Sequence, residues 1–551
     1  DPENGAQPMN FGKYTITYNG EIYNTDEIRN ELKSIGYTFS TNCDTEVILK
    51  AYDCWKEKSC KKLNGIFAFA VWDDEARKLF LCRDRIGVKP LFYAQKQGIF
   101  AFASRIKSLL LIPEISADVD ENGLNEIFML GPAKPIGSAV FKDIKELPPA
   151  CFMTVSGEKT EIHKYWQITA AKHTESEAET IEHTHYLVSD AIRRQLVSDV
   201  PLCTFLSGGL DSSIISRIAS DGAKSHGRRL CTYSVDYTDN DKFFKESLFQ
   251  PNKDSDYISL ISNYIGSKHK NIVLDNKAVA HALEESTEAR SLPGFTDVDS
   301  SLLLFCREVQ REQTVALSGE CADEIFGGYP WYHNKDILFE ETFPWSRSID
   351  VRQSILKPGL LKNGEFVHEK YLETVKSASY LESDSKTERR MREMFMLNMD
   401  WFMQTLLMRK DMMSMHCSLE VRVPFCDYRI VEYAYNMPWK FKSPGGREKG
   451  VLRRAFENEL PYEIAWRKKS PYPKTHNPIY FKEVCKMAEA VLADKTTPLH
   501  EMLNEAKIRE LMRDPDALPE PWYGQLMRGP QVLAYIVQIY YWIKDCNVNF
   551  I

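Results

Sequence analysis

The stretch P-L-C-T-F-L-S-G-G-L-D-S-S-I-I-S, Pro201 to Ser216, decides how this chain is read. Pro201–Leu206 is an apolar run of strand length, and Ser212–Ala219 has helical character. Between them, Gly208 and Gly209 let the backbone turn sharply and approach a ligand closely. The amides of such a loop and of the helix start behind it point at one spot. That favours an anion, most simply a phosphate or pyrophosphate. Ser207, Ser212 and Ser213 add hydroxyl donors. Asp211 is out of place beside an anion unless a cation joins it, and a Mg²⁺ bridging carboxylate and phosphate oxygens resolves the conflict. The competing reading is a plain helix cap with two glycines in a tight turn. Seven matched residues at one strand-to-helix junction speak against it. The run is not GxxxxGK[ST], so Walker-A chemistry is not supported.

Downstream, strands at Leu230–Val235, Asn271–Leu274 and Thr314–Leu317 alternate with helices such as Tyr257–Ile265. That alternation predicts parallel βαβ units. A second acidic cluster, S-G-E-C-A-D-E (Ser318–Glu324), follows Thr314–Leu317. Ligands bind at strand ends in open parallel sheets. If a helix begins there, Glu320 and Asp323 face one cleft, Asp323 as a second Mg²⁺ ligand and Glu320 as a general base or substrate contact. The basic run R-K-K-S-P-Y-P-K (Arg467–Lys474) supplies a lysine to offset charge developing on a phosphorylated transition state. After about residue 385 the pattern is almost all helical. Nine of the 17 methionines fall between Met391 and Met415, and such a stripe reads as adaptable core filler.

Upstream, residues 1 to about 165 carry short strand signals at Lys13–Tyr18, Gly65–Trp72, Leu79–Arg83, Leu91–Ala94 and Ile99–Ala103. Helices are expected at Asp26–Ser34 and Asp44–Trp55. This is an α+β layered domain with much antiparallel sheet. Residues 166–184 are polar and read as a linker running into a helix, and 185–551 form the second domain.

Composition narrows the function. The 551 residues are 43% hydrophobic and 27% charged, which excludes a disordered chain. The 70 basic against 78 acidic residues give a net charge of -8, against a nucleic-acid partner. The apolar runs Ile66–Trp72 and Val532–Ile543 are far short of the roughly 20 residues that span a bilayer. The 13 cysteines show no CxxC spacing, so neither a zinc site nor a disulfide framework is signalled. Reduced thiols and a cytoplasmic location fit.

The Ser207–Ser213 loop resembles the pyrophosphate loop of the ATP-pyrophosphatase class. With the acidic cluster, the basic run, E-V-R-V-P-F-C-D (Glu420–Asp427) and G-V-L-R-R-A-F with L-P after it, the second half is similar to the synthetase half of the glutamine-dependent asparagine synthetase family. The first half resembles a class II glutamine amidotransferase domain through N-G-E-I-Y-N (Asn19–Asn24), C-D-T-E-V (Cys43–Val47) and R-D-R-I-G-V-K-P-L-F-Y (Arg83–Tyr93). The resemblance implies an Ntn-hydrolase-like αββα layer, truncated at its start, followed by a HUP-like parallel sheet. It implies a ligase that turns aspartate, ATP and glutamine or ammonia into asparagine, AMP, pyrophosphate and glutamate through a β-aspartyl-adenylate, with Mg²⁺.

Carried over, Ser207, Gly208, Gly209, Asp211 and Ser212 would hold the pyrophosphate, and Leu206, Val235, Ser318 and Gly319 would flank the adenosine. Asp211 and Asp323 would bind Mg²⁺, Glu320 would be the catalytic acid, and Lys469 would stabilise the adenylation transition state. Asn19 and Gly20 would form an oxyanion hole, with Glu21 and Asp44 gripping the α-amino group of glutamine.

There are departures from the family pattern. Met412 stands where the family carries a basic residue, and D-V-D-S-S (Asp297–Ser301) is more acidic than usual, which bears on the acceptor carboxylate. The family's nucleophile is an N-terminal Cys followed by Gly, and none of the cysteines here precedes Gly. Cys43 and Cys82 read as structural. The expectation is that a segment with that Cys and an arginine for the glutamine carboxylate precedes Asp1. The first domain would then lack a strand and expose a sheet edge, and the chain starting at Asp1 would form amide from free ammonium but not from glutamine. Alternatives are a family member amidating another carboxylate, such as a cell-wall peptide acid, and an inert scaffold. The intact Asp211, Glu320, Asp323 and Lys469 argue against the scaffold. A homodimer is an assembly the sequence leaves open.

Overall fold

A computed structural model describes residues 5–243, 254–361, 364–470, 472, 473, 475, 477–524 and 527–551. Of the motifs above, Pro471 and Lys474 lie outside the described residues, as do Asp1–Asn4.

The first half is built on a six-stranded antiparallel sheet. Its order is Met9–Phe11, Tyr14–Ile22, Gly65–Asp73, Lys78–Arg83, Cys151–Ser156 and Lys159–Lys164. The apolar side of Tyr14–Ile22 and Gly65–Asp73 packs on helices Thr25–Ser34 and Asp44–Trp55, burying Ile16, Val47, Leu49, Phe67 and Phe80. Phe92–Lys96 sits between Ile99–Ala103 and Ile144–Glu146 in a second, three-stranded sheet.

Residues 166–176 carry no helix or strand, and a helix starts at Glu177. Ser176 and Glu179 close a reciprocal cap there: Ser176 Oγ accepts from the Glu179 amide while Glu179 accepts from the Ser176 amide.

The second half contains a five-stranded parallel sheet. In chain order its elements are β1 (Leu202–Phe205), α1 (Leu210–Ser225), β2 (Cys231–Tyr237), α2 (Asp254–Ile265), β3 (Lys268–Leu274), α3 (Asp297–Gln310), β4 (Val315–Leu317), α4 (Ala322–Phe326), α5 (Gln404–His416) and β5 (Glu420–Arg422). The spatial order is β3-β2-β1-β4-β5. Cys203 is level with Cys231 on one side and Ala316 on the other, and Leu317 with Arg422. The chain winds outward from β1 in both directions, so the crevice between the ends of β1 and β4 is the switch point at which such sheets take ligands. β5 is a strand that the nearly all-helical reading of residues beyond 385 omits. Its E-V-R is three residues long and mostly charged, and its pairing with β4 makes it a strand.

The main hydrophobic core spans both halves. Phe92, Ile106, Phe128 and Phe141 pack with Val532, Tyr535, Ile539 and Trp542 of the helix Gly529–Cys546. Tyr535 donates to the Ile127 carbonyl at 2.9 Å, and Asn549–Phe550 pairs with Asp118–Val119. Asp297 and Asp299 are buried at the start of α3, where Asp299 accepts from the Phe295 amide. Met394, Met399, Met403, Met412 and Met413 are buried, the core role expected of the methionine stripe.

Candidate active site

The Ser207–Ser213 loop leaves β1 and enters α1 through a tightly fitted turn. Gly208 has φ +69°, and a Cβ there would lie 2.8 Å from the Ile258 amide nitrogen and from the Tyr257 side chain on α2. Only glycine meets both demands. No side chain caps α1, so its first amides stay open. Ser212 Oγ lies 3.0 Å from Ser207 Oγ, bracing the turn. A Cβ on Gly319 would lie 2.9 Å from the Ser212 amide nitrogen, so the S-G-E loop after β4 is laid against the start of α1.

A cavity of about 1580 Å³, including its open mouth, occupies the switch point. Leu206, Ser207, Gly209, Asp211, Ser212, Val235, Ser318, Gly319, Glu320, Asp323 and Lys469 all line it. Gly208 lies just behind, turned towards α2. Met412 and the carboxylates of Asp297 and Asp299 do not line it, whereas Phe295, Val298 and Leu302 do.

The charges in this cavity are ordered. Lys449 Nζ sits between two carboxylates, 2.6 Å from Asp211 Oδ2 and 2.8 Å from Asp323 Oδ1. Lys469 Nζ takes the other Asp323 oxygen at 2.5 Å. Burial drives the Asp323 carboxyl upward, but the two ammonium groups override it and hold it well below the usual range. For Asp211, burial outweighs Lys449 and the carboxyl is raised. Glu324 is pushed up to about 7 by burial and by Asp323 beside it, and accepts from Tyr329 OH at 2.6 Å. Glu320 is gripped through one oxygen, by Arg409 Nη2 at 2.6 Å and Lys410 Nζ at 3.1 Å, both from α5. Its Oε2 is buried without a hydrogen-bond partner, as is Asp211 Oδ1.

These orphaned oxygens bear on the expected metal. Among the described residues no cluster of three or more acidic, histidine or cysteine side chains forms a metal cage. Mg²⁺ typically binds one or two carboxylates and takes its remaining oxygens from substrate phosphates and water. Asp211 and Asp323, already sharing one cation, fit that donor set.

Lys449, Arg409 and Lys410 are site residues that the sequence reading missed. Arg467, also in the cavity wall, pairs with Asp254. Lys449 precedes G-V-L-R-R-A-F with a φ of +53°, and nothing in that local sequence marks its side chain for the cavity.

In the first half, Asn19, Gly20 and Glu21 lie on Tyr14–Ile22. A Cβ on Gly20 would lie 2.1 Å from the Ile66 carbonyl oxygen. Asp44 accepts from Tyr18 OH at 2.7 Å and from the Ile22 amide at 3.1 Å. Glu21 meets Arg422 of β5 at 3.2 Å, and Arg422 also holds Glu420 at 2.7 Å. Burial raises the Glu21 carboxyl to about 7 despite Arg422. Cys82 is fully buried, and Cys43 is half-buried immediately before the helix Asp44–Trp55. A second, smaller cavity of about 290 Å³ lies where the halves meet, lined by Tyr23, Asn64, Arg85, Gln195, Cys426 and Tyr428 among others.

Known proteins resemble this arrangement along its whole length. The family described as asparagine synthase matches residues 183–544, and the glutamine amidotransferase domain family matches 1–166. "Asparagine synthetase [glutamine-hydrolyzing] 3" of Bacillus subtilis is 47% identical over 100% of this chain and 91% of its own length. "Asparagine synthetase [glutamine-hydrolyzing] 1" of the same organism is 30% identical over 86% of this chain and 78% of its own. An asparagine synthetase of Mesocricetus auratus is 26% identical, again over 86% of this chain.

Proposed function

The chain belongs to the asparagine synthase family, and from that premise we propose that it joins ammonia to the β-carboxylate of aspartate at the expense of ATP, with glutamine as the ammonia source. The observation that carries the chemistry is the cavity where an anion-binding loop, two carboxylates sharing one lysine, and a half-partnered glutamate converge.

The loop Ser207–Ser212 takes the ATP phosphates on its open amides, and Leu206, Val235, Ser318 and Gly319 flank the adenosine. An aspartate β-carboxylate oxygen attacks the α-phosphorus and pyrophosphate leaves. Lys469 and Lys449 offset the charge that builds on the phosphates. Asp211 and Asp323 would hold Mg²⁺, which neutralises phosphate charge when bound. Ammonia then attacks the acyl carbon and AMP leaves. Glu320, oriented through one oxygen by Arg409 and Lys410, accepts the ammonium proton on its free Oε2.

In the first half, Asn19 and Gly20 face the amide of glutamine as oxyanion donors, while Glu21 and Asp44 bind its α-ammonium. The cavity at Tyr23, Asn64 and Cys426 supports passage of ammonia between the halves without bulk water, which keeps it unprotonated. The layers fit an Ntn-hydrolase-like arrangement followed by a HUP-like sheet.

Product analysis with ATP, Mg²⁺, aspartate and ammonium tests the proposal. Asparagine, AMP and pyrophosphate are expected in equal amounts. ADP and phosphate would refute it.

A further inference from the structure

A third cleft shares no lining residue with either cavity described above. It encloses about 830 Å³, open to solvent, and is walled by Tyr332, Phe395, Trp439, Met391 and Met437. Trp439 stacks on Tyr332 with centroids 5.6 Å apart and planes 17° apart, giving a flat aromatic side. At its base lies Lys442, the last residue of the short helix Trp439–Lys442 and only 6% exposed.

No anion meets this lysine. Its ammonium rests 5.0 Å from the Phe395 ring centroid, and among the described residues it makes no hydrogen bond or ion pair. The carboxylates that share the cleft are engaged elsewhere. Asp384 accepts from Arg392 Nε at 2.9 Å, and Glu388 caps its own helix through the Ser385 amide at 2.8 Å. Arg392, itself buried and neutralised by Asp384, reaches the Tyr435 carbonyl at 3.1 Å and leaves its remaining guanidinium N–H groups beside Lys442. His173, at the rim, is 2.8 Å from Thr180 Oγ1. Burial, and then Arg392, pulls the Lys442 amine down to about 7. An ammonium that opens only onto a largely aromatic cleft, with no counter-ion beside it, is poorly compensated and suits an incoming anion. Few polar groups converging in an aromatic-walled cleft is the form of a small-ligand site.

We propose that this cleft binds a small organic anion, its carboxylate or phosphate oxygens on Lys442 beside Arg392 and its flat apolar body against Trp439 and Tyr332. The site is distinct from the ATP cavity but mechanically close to it. Trp439 also packs on Gly327, where a Cβ would lie 2.6 Å from its ring, and Gly327 ends α4, the helix that carries Asp323.

Site-resolved lysine acetylation tests this without interference from anions in the ATP cavity. The intact protein is treated at pH 7.5 with a water-soluble acetylating ester, and the peptide containing Lys442 is quantified by mass spectrometry. The probes are inorganic phosphate, phenylacetate and the uncharged phenylacetamide. Lys442 should label readily. One of the two anions should slow its labelling at least tenfold, while exposed lysines such as Lys159 and Lys242 are unchanged. Phenylacetate as protector identifies a carboxylate ligand, and phosphate a phosphate ligand. Absence of Lys442 labelling, protection by neither anion, or equal protection by phenylacetamide would each overturn the proposal.

Discussion

Replacing Lys449 with methionine probes the electrostatics of the cavity proposed to take ATP most directly. The side chain is of similar length, so the change is chiefly the loss of one ammonium, 4% exposed and within 2.8 Å of two carboxylates. Removing one partner of such a buried pair costs about 3–5 kcal/mol. Asp211 and Asp323 would then face each other with only Lys469 left, and the Asp211 carboxyl, already raised by burial, would be raised further. If that cost falls on the adenylation step, kcat/KM drops by about 10²- to 10⁴-fold, at 1.36 kcal/mol per factor of ten. Aspartate-dependent exchange of labelled pyrophosphate into ATP reads this step alone. A divalent cation can replace the missing charge, so raising Mg²⁺ should recover part of the loss in Lys449→Met. Asp211→Asn, which removes an oxygen ligand, should not recover. An unchanged exchange rate in Lys449→Met, or equal Mg²⁺ recovery in both variants, would refute the reasoning.

Glu320→Ala and Lys469→Ala should each lower kcat by on the order of 10²-fold with little change in ATP affinity; an effect confined to the KM for ATP would mean that they bind only the ground state. Gly208→Ala should weaken ATP binding about tenfold or more by calorimetry, because the left-handed conformation alone costs a non-glycine residue about 1–2 kcal/mol and the new Cβ meets α2; unchanged affinity would contradict the turn geometry. Glu21, raised to about 7 by burial against the pull of Arg422, is neutral below that pH and ionised above it. Glutamine affinity should therefore rise between pH 6 and 8 and level off beyond, and a flat profile would remove Glu21 from the ammonium site.

Much of this architecture is legible in the chain because its signals are local. The helix at Asp44–Trp55 and the strand at Ile99–Ala103 fall where spacing and residue type place them. The loop after β1 announces itself by two glycines between a strand and a helix. The cap S-E-A-E at Ser176–Glu179 is equally local, although the polar composition around it masks the helix start. What is hidden depends on partners far along the chain. Glu420–Arg422 has no strand character of its own, and β4 supplies its pairing. Lys449 carries no mark of its role until Asp211 and Asp323 are brought to it from two other loops. Phe128 and Phe141 are likewise buried by Val532 and Trp542, partners some 400 residues away that no local pattern names.

That shared core has a consequence for how the protein is made. Residues 118–141 leave the ribosome some 400 residues before Gly529–Phe550, an interval of about 20–80 s at 5–20 residues per second. Throughout that interval Phe128, Phe141 and their neighbours lack the helix that covers them, and Asp118–Val119 lacks its strand partner. The early half cannot settle into its final packing as it emerges. It must wait in a partly open state, exposed to chaperones and proteases, until the distant cover is synthesised.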